Sequence, residues 1–366
     1  MNKESVCRWG FLGTAVIARK NWQSILDAGN ARLIGVASRD VAKARDYIAE
    51  NQTQVPHPVE PKAMTYDELL ASPDIEAVYI PLPTGVRKEW VLKAARAGKH
   101  VLVEKPVGCS AADVQEMITV CAQNGVQLMD GVMFMHSARL ARLRQTLDDG
   151  ESVGDIRRIA SGFSFNGGDE FMKSNIRSSQ ALEPFGCLGD LGWYTILFSL
   201  WALKFQMPRQ VRATMLNLVK RDGEVGVPTE LSAEMIFDGG VSAGFYNSFI
   251  TGNQLWAHVS GTTGNVFIPD FVLPFYGNQQ HYTVRNSVFE QQGGTFYMHE
   301  NAEFITVEEP SNNAPGSQES KLFRDFSALV LSKKTDDFWT QSMLKTQMIM
   351  DACLTSSLQD GKWIHI

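Results

Sequence analysis

Cys7-Arg-Trp-Gly-Phe-Leu-Gly13-Thr-Ala-Val-Ile-Ala18 is the stretch on which the fold turns. An apolar run of strand length bends at Gly13 and passes into a helical pattern near Val16, the outline of a dinucleotide-binding βαβ unit. Set against G-x-G-x-x-G/A, it places Gly13 at the tight turn, Ala15 where backbone nears pyrophosphate, and Ala18 where helix packs on strand. An ordinary strand-turn-helix has the same outline, and the central glycine is replaced by Ala15, so the motif depends on its surroundings. A second strand, Arg32 to Ser38, follows at the expected distance and ends in Ser38-Arg39-Asp40. The end of that strand meets the adenosine ribose in such folds. Serine followed by arginine suits a 2′-phosphate and favours NADP(H), while Asp40 keeps NAD(H) open.

Short apolar strands continue to alternate with helical stretches as far as Met133, as a doubly wound sheet of six strands requires. Thr65-Tyr-Asp-Glu68 is a capping box opening a helix to Ala71. The strand Ala77 to Ile80 leads through Pro81-Leu-Pro83 to a helix over Arg87 to Ala97, ended by Gly98. Ser110 caps a helix to Gln123, and a strand over Gln127 to Asp130 follows. Between them the run His100-Val-Leu-Val103 ends in Glu104-Lys105-Pro106. In an open parallel sheet the carboxyl ends of the strands border the ligand crevice, so Lys105 stands where an amine can be partly desolvated and used. In isolation it reads better as part of a solvated Glu-Lys pair in a turn, and the other motifs are what reverse that reading.

After a helix over Ser137 to Asp149 the pattern changes to strands of alternating character: Ile156 to Phe165, Gln210 to Leu218, Thr229 to Phe237, Val241 to Phe249 and Leu255 to Ser260. These imply a mostly antiparallel, open-faced sheet. The fold class is therefore α/β followed by α+β: a Rossmann-type dinucleotide-binding domain over residues 1–133 and a domain built on the antiparallel sheet over 134–366. The Ser, Asn, Pro and Gly-rich segment Glu308 to Ser320 reads as an exposed, mobile loop, followed by helices over Lys321 to Lys333 and Asp337 to Ser357. Methionines 343, 348 and 350 read as core filling. Within the second half, Gly186-Cys-Leu-Gly-Asp190-Leu-Gly192-Trp-Tyr194 runs from a glycine-rich turn into an apolar helix. Helical spacing puts Asp190 and Tyr194 on one face, where a carboxylate and a phenol can address one small substrate; a first-turn charge and a half-buried aromatic would look the same.

Taken together, these motifs with Ile80-Pro-Leu-Pro-Thr84 and Gly98-Lys-His-Val-Leu-Val-Glu104-Lys105-Pro106 resemble the glucose-fructose oxidoreductase and inositol dehydrogenase family, Gfo/Idh/MocA, over nearly the whole chain. Tyrosine at 194 makes it similar to the branch with xylose dehydrogenase and dimeric dihydrodiol dehydrogenase; inositol dehydrogenases carry histidine there. The resemblance implies cofactor contacts from Gly13, Thr14, Ala15, Val16, Ile17, Ser38, Arg39, Leu82, Pro83, Thr84, Arg87, Glu104 and Lys105. It implies catalysis by Lys105, Tyr194 and Asp190, and substrate contacts from Asn175, Arg177, Asp190 and Tyr194. It also implies that residues 134–366 are the substrate-binding and oligomerisation domain, with a homo-oligomer, dimer or tetramer, built on the open face of the second sheet. Three positions depart from the pattern: Ala15 for the central glycine, Arg87 for a common histidine, and Ser137 for a common proline.

The activity implied is hydride transfer between nicotinamide, preferably NADP(H), and a hydroxyl-bearing carbon of a sugar, polyol or diol. Such a reaction needs a proton acceptor opposite the nicotinamide; Tyr194, its phenolate stabilised by Lys105, meets that need. Two rivals share the scaffold: a redox-neutral, NAD-dependent glycosidase-like enzyme that recycles its cofactor each turnover, and a non-catalytic NADP(H) sensor. With 20% charged residues and net charge −6, and with no basic stripe, the chain gives no ground for nucleic-acid binding. No apolar run reaches membrane-spanning length. Met1 to Val6 enters the first strand without room for a signal peptide, and five scattered cysteines fit the cytoplasm rather than disulfides or zinc. His57, His136, His258, His281, His299 and His365 lack metal-ligand spacing, so no metal is expected.

Overall fold

The computed structural model describes residues 6–221, 225–311 and 313–366. Met1 to Ser5, read above as leading straight into the first strand, lie outside them. The chain divides into two compact units. The first comprises the described residues of Met1–His136, Ala181–Pro184 and Asn312–Gln347; the second comprises those of Ser137–Gln180, Phe185–Ser311 and Met348–Ile366. A single cut at 133/134 therefore differs from the observed division, because the chain returns to the first unit near its end.

In the first unit β1 (Cys7–Leu12), β2 (Ala31–Ala37), β3 (Lys62–Met64), β4 (Ala77–Ile80), β5 (His100–Val103) and β6 (Leu128–Asp130) form one sheet in the order β3-β2-β1-β4-β5-β6. Every pairing is parallel. The strand order reverses between β1 and β4, so the crevice at their carboxyl ends is the place where such a sheet holds a ligand. Five helices make the crossovers: α1 (Val16–Asp27), α2 (Val41–Gln54), α3 (Tyr66–Ala71), α4 (Thr84–Arg96) and α5 (Ala111–Gln123). The capping box is complete, with Thr65 Oγ1 accepting from Glu68 N and Glu68 accepting from Thr65 N. Ser110 caps α5 through Asp113 N. The short β3 carries no apolar run of its own, which is why its residues were not singled out in the sequence.

The late segment joins this unit through aromatic packing. The helix Gln318–Leu331 buries Phe323 and Phe326 against Trp9, whose indole N–H donates to Ser327 Oγ at 2.9 Å. Phe323 also meets Phe11 and Tyr79. Each fully buried aromatic contributes roughly 2–3 kcal/mol, enough to anchor the helix over β1.

In the second unit nine strands form one sheet. In chain order they are β7 (Ile156–Asn166), β8 (Gln210–Val219), β9 (Val227–Ile236), β10 (Ser242–Ser248), β11 (Ile250–Gly261), β12 (Asn265–Ile268), β13 (Gln279–Arg285), β16 (Ala302–Glu308) and β17 (Ile364–His365). Their spatial order is β16-β13-β12-β11-β7-β10-β9-β8-β17, antiparallel except for β7 with β10. A separate ribbon, β14 (Val288–Gln292) with β15 (Thr295–His299), lies between β13 and β16 in sequence. One face of the large sheet is buried through Ile159, Val211, Leu231, Met235, Phe245, Val259 and Val284. The other is open, and a row of cross-strand partners runs across it: Arg212, Glu234, Gly244, Ala160, His258, Phe267, Thr283 and Phe304.

Two expectations are corrected. Glu308 to Ser320 is not an exposed loop throughout: Glu309, Ser317, Gln318, Glu319 and Ser320 are buried, and the final helix pair begins at Gln318. Glu309 accepts from Ala138 N, Arg139 N and the Ser137 hydroxyl, so it caps the helix Ala138–Asp148. Ser317 accepts from Ser320 N as the cap of the helix Gln318–Leu331, so part of the Ser-rich composition here serves a helix end. Of the three methionines, Met343 and Met350 are buried, but Met348 is 38% exposed.

Removing the buried Glu309 carboxylate takes the acceptor from Ala138 N and leaves Arg139 N and the Ser137 hydroxyl to their weaker partners, Ser137 Oγ and Gln280 Oε1, so Glu309→Ala should cost about 1–3 kcal/mol in denaturant unfolding; a loss under about 0.5 kcal/mol would contradict the capping role. Burial holds the pKa of both His57 and His100 below the ordinary 6.5. The unfolded chain then binds more protons than the folded one below that value, so stability should fall as pH drops from about 7 to about 5 and be unaffected by these groups above it. A His57→Gln/His100→Gln variant should show a shallower decline of Tm with acid; an unchanged slope would count against the assignment.

Candidate active site

The N-terminus of α1 differs from those of its neighbours. Asp40, Thr65 and Ser110 each cap their helix with a side-chain oxygen, whereas Ala15 supplies none and no acidic residue lies in the first turn of α1. Ala18 N bonds back to Ala15 O at 3.0 Å, and no side chain of the N-cap takes the N–H groups ahead of it. Val16 is 82% and Ile17 40% exposed at the same place, beside half-buried Thr14. Gly13 has φ +135°, and a Cβ there would come within 3.1 Å of Leu82 Cδ2, so both backbone and space demand glycine. Ala15, at φ −67° and ψ 156°, is ordinary extended backbone, so the absent central glycine strains nothing. An uncapped, acid-free helix end at the switch point fits a pyrophosphate.

At the end of β2, Ser38 is buried and Arg39 exposed. Asp40 is committed to α2, its carboxylate accepting from Ala42 N at 2.9 Å. The acid that left NAD(H) open in the sequence is therefore engaged as a cap.

The ends of β4 and β5 are tied together. Arg87, only 2% exposed, donates through Nε to Leu82 O at 2.9 Å and through Nη1 to Thr84 Oγ1 at 3.2 Å and to Pro106 O. Burial lowers its pKa, with Glu183 and Glu104 opposing that shift. The guanidinium thus ties the two loop carbonyls and the Thr84 hydroxyl together. Pro83 leads into α4, whose first residue Thr84 is capped by Glu183 through both its N–H, at 3.1 Å, and its hydroxyl, at 2.6 Å. Gly85 admits this strap, since a Cβ would lie 2.0 Å from Ala181 O. Neither Glu183 nor Gly85 is apparent from sequence, because the partner lies about a hundred residues away. Glu104 accepts from the buried Tyr79 hydroxyl at 2.6 Å and from Lys105 N at 3.2 Å. Burial first, then the Glu104 charge, raises the Tyr79 pKa well above its ordinary value, so the phenol stays protonated and holds the carboxylate. Lys105 follows, half-buried, at the end of β5, before a cis Lys105-Pro106 bond.

In the second unit Leu188–Gly192 forms a π-helical turn that feeds the helix Trp193–Ala202. Asp190 therefore lies in a wider turn than the α-helical spacing supposed, a feature frequent at functional sites. Gly186, at φ +50°, and Gly192 allow the turn to press on the sheet, a Cβ at Gly186 falling 2.1 Å from Pro228 O. Asp190 pairs with Arg177 at 2.8 Å, its side chain 14% exposed. Tyr194 is 8% exposed, with Phe163 at 5.7 Å between ring centroids. Asn175 Oδ1 accepts from Arg177 N and its carbonyl accepts from Arg221, so it shapes the turn that presents Arg177. His136 is structural, bonded to Asp325 at 2.7 Å and stacked on Trp339. Among the described residues no cluster of His, Cys, Asp or Glu could hold a metal, and no helix is long and apolar enough to cross a membrane.

Residues 7–132 match the GFO_IDH_MocA oxidoreductase family, NAD-binding Rossmann fold, and residues 140–267 match the GFO/IDH/MocA C-terminal domain. The chain is 30% identical over 273 residues to dTDP-3,4-didehydro-2,6-dideoxy-alpha-D-glucose 3-reductase of Saccharopolyspora spinosa, covering 73% of this chain and 76% of that one. It is 31% identical over 270 residues to trans-1,2-dihydrobenzene-1,2-diol dehydrogenase of Mus musculus, with the same coverage. A solved 3-ketoreductase from Actinomadura kijaniata, in complex with NADP and TDP-benzene, is similar with TM-score 0.78 and 25% identity, over 96% of this chain and 98% of that one. With both of its regions matched in order, the chain belongs to the GFO/IDH/MocA oxidoreductase family.

Proposed function

We propose that this oxidoreductase moves a hydride between NADP(H) and a hydroxyl-bearing carbon of a sugar, polyol or diol. The observation that carries the reading is the uncapped N-terminus of α1 at the switch point, with Lys105 at the end of a strand two places away in the same sheet. Two strand spacings are about 10 Å, a span that a dinucleotide bridges. Arg39, exposed beyond β2 while Asp40 is occupied, supports NADP(H) over NAD(H). The relatives act on a hexose nucleotide and a cyclic diol by their names, which supports the substrate class.

When bound, the nicotinamide supplies the hydride acceptor or donor. The role proposed for Tyr194 is proton exchange at the substrate oxygen, and that proposed for Lys105 is donation of a hydrogen bond to the substrate. Asp190, held by Arg177, orients a second hydroxyl. Glu104, fixed by Tyr79, sets the turn that presents Lys105. We further assign the chain to the cytoplasm, on its five free thiols, and to a homodimer formed on the open face of the large sheet, where Trp256, His258 and Phe267 are half-exposed.

Lys105→Ala and Tyr194→Phe should each lower kcat by about 10²–10⁴ in a screen of sugars and diols with NADPH or NADP⁺, while circular dichroism and Tm stay near wild type. Near-normal turnover in both would sink the roles. Arg39→Ala should weaken NADPH binding about tenfold and leave NADH nearly unchanged in nicotinamide fluorescence titrations; equal loss for both cofactors would remove the 2′-phosphate contact.

A further inference from the structure

The ribbon β14–β15 continues the ladder of β13 and β16 without a shift of register. Pairing runs from Gln279 with Glu308 to Arg285 with Ala302, and resumes at Val288 with His299 to end at Gln292 with Thr295, closed by Gly293-Gly294. Asn286 N donates to Asn301 O at 3.0 Å in between. The neighbouring strand β12 stops pairing at Arg285. From Asn286 to Gln292 the hairpin therefore extends past its last neighbour by about 24 Å, at 3.4 Å per residue.

This arm is exposed from Ser287 to Glu300, yet it is amphipathic. One face carries Phe289, Phe296 and Met298, which are 58%, 66% and 71% exposed, with the two phenyl rings 5.6 Å apart. The other carries Gln292, Thr295 and a Glu290–His299 hydrogen bond, beside Val288 and Tyr297. A two-stranded ribbon alone is marginal in water, and aromatic side chains on it gain nothing unless something covers them. By strand alternation Phe289 faces the same way as Thr283, whose partner on the open sheet face is Phe304, itself 64% exposed. The arm thus prolongs that face.

We propose that residues 286–301 form an assembly arm that lays its Phe289, Phe296 and Met298 face on a second copy of this chain, an inference that rests on the open-face homodimer proposed above. The area argues for a second copy. Phe289, Phe296, Met298 and Phe304 offer roughly 400 Å² per chain at about 100 Å² each. That is half of the ~800 Å² per partner of a standard interface, and the half-exposed aromatics on the adjoining face supply more. In a two-fold contact each copy gives and receives an arm, so the same patch is buried on both copies.

Sedimentation velocity and light scattering on the full chain across a dilution series decide the matter. The wild type should be a dimer, and Phe289→Asp/Met298→Asp should raise the dimer dissociation constant at least about 30-fold, with NADPH affinity retained as the sign of an intact fold. If that variant fails to fold, a shortened hairpin in which Asn-Gly replaces Ser287 to Glu300 keeps the register and should weaken the dimer equally. A wild-type dimer whose dissociation constant is unchanged in the folded variant overturns the arm and leaves the open-face contact standing. A wild type that stays monomeric throughout overturns both, without bearing on the hydride-transfer reading.

Discussion

A guanidinium taken out of water costs several kcal/mol unless its N–H groups find acceptors and its charge finds compensation. Arg87 meets both conditions, with Leu82 O, Thr84 Oγ1 and Pro106 O as acceptors and Glu183 and Glu104 as the opposing charges. Because Leu82 follows β4 and Pro106 follows β5, one side chain sets the spacing of the two loops at the carboxyl edge of the sheet. Lys105 lies within the second of those loops. Its placement therefore depends on a buried cation bonded to the loops on either side.

The same economy governs the helix ends around the switch point. Three crossover helices are closed by side chains of their own sequence, and α4 is closed from a distance by Glu183. Only α1, among the five, is left with its amide groups uncapped by a side chain, behind a glycine whose positive φ would strain any side chain placed there. In the second unit glycine again makes the site: Gly186 and Gly192 let a wide turn settle on the sheet, and the turn in turn fixes Asp190 beside Arg177.

The large sheet has one face against its own core and one face without helices. Such an arrangement stays soluble when the open side is polar or partnered. Here the edge row mixes an Arg212–Glu234 pair with His258, Phe267 and Phe304, and the departing hairpin is more apolar still. Small residues at Ala160 and Gly244 keep the middle of that face flat.

Much of the architecture was legible locally. Strands at Ala77–Ile80 and His100–Val103, the Thr65 capping box and the Ser110 cap depend on residues a few positions apart, and all appear as expected. So do Gly13 and the Arg39 position, because a turn and a strand end carry their own signals. The strands from Asn265 to Glu308 were missed because β-pairing there is not announced by a clean alternation, and the sheet reads as such only when its neighbours are known. The tasks of Arg87, Asn175, Glu183 and Glu309 belonged to the tertiary structure alone. Each is a polar group whose bonding partner is chosen by burial: a buried donor or acceptor must pair with whatever folding brings near it, and short-range pattern carries no record of residues a hundred or more positions away.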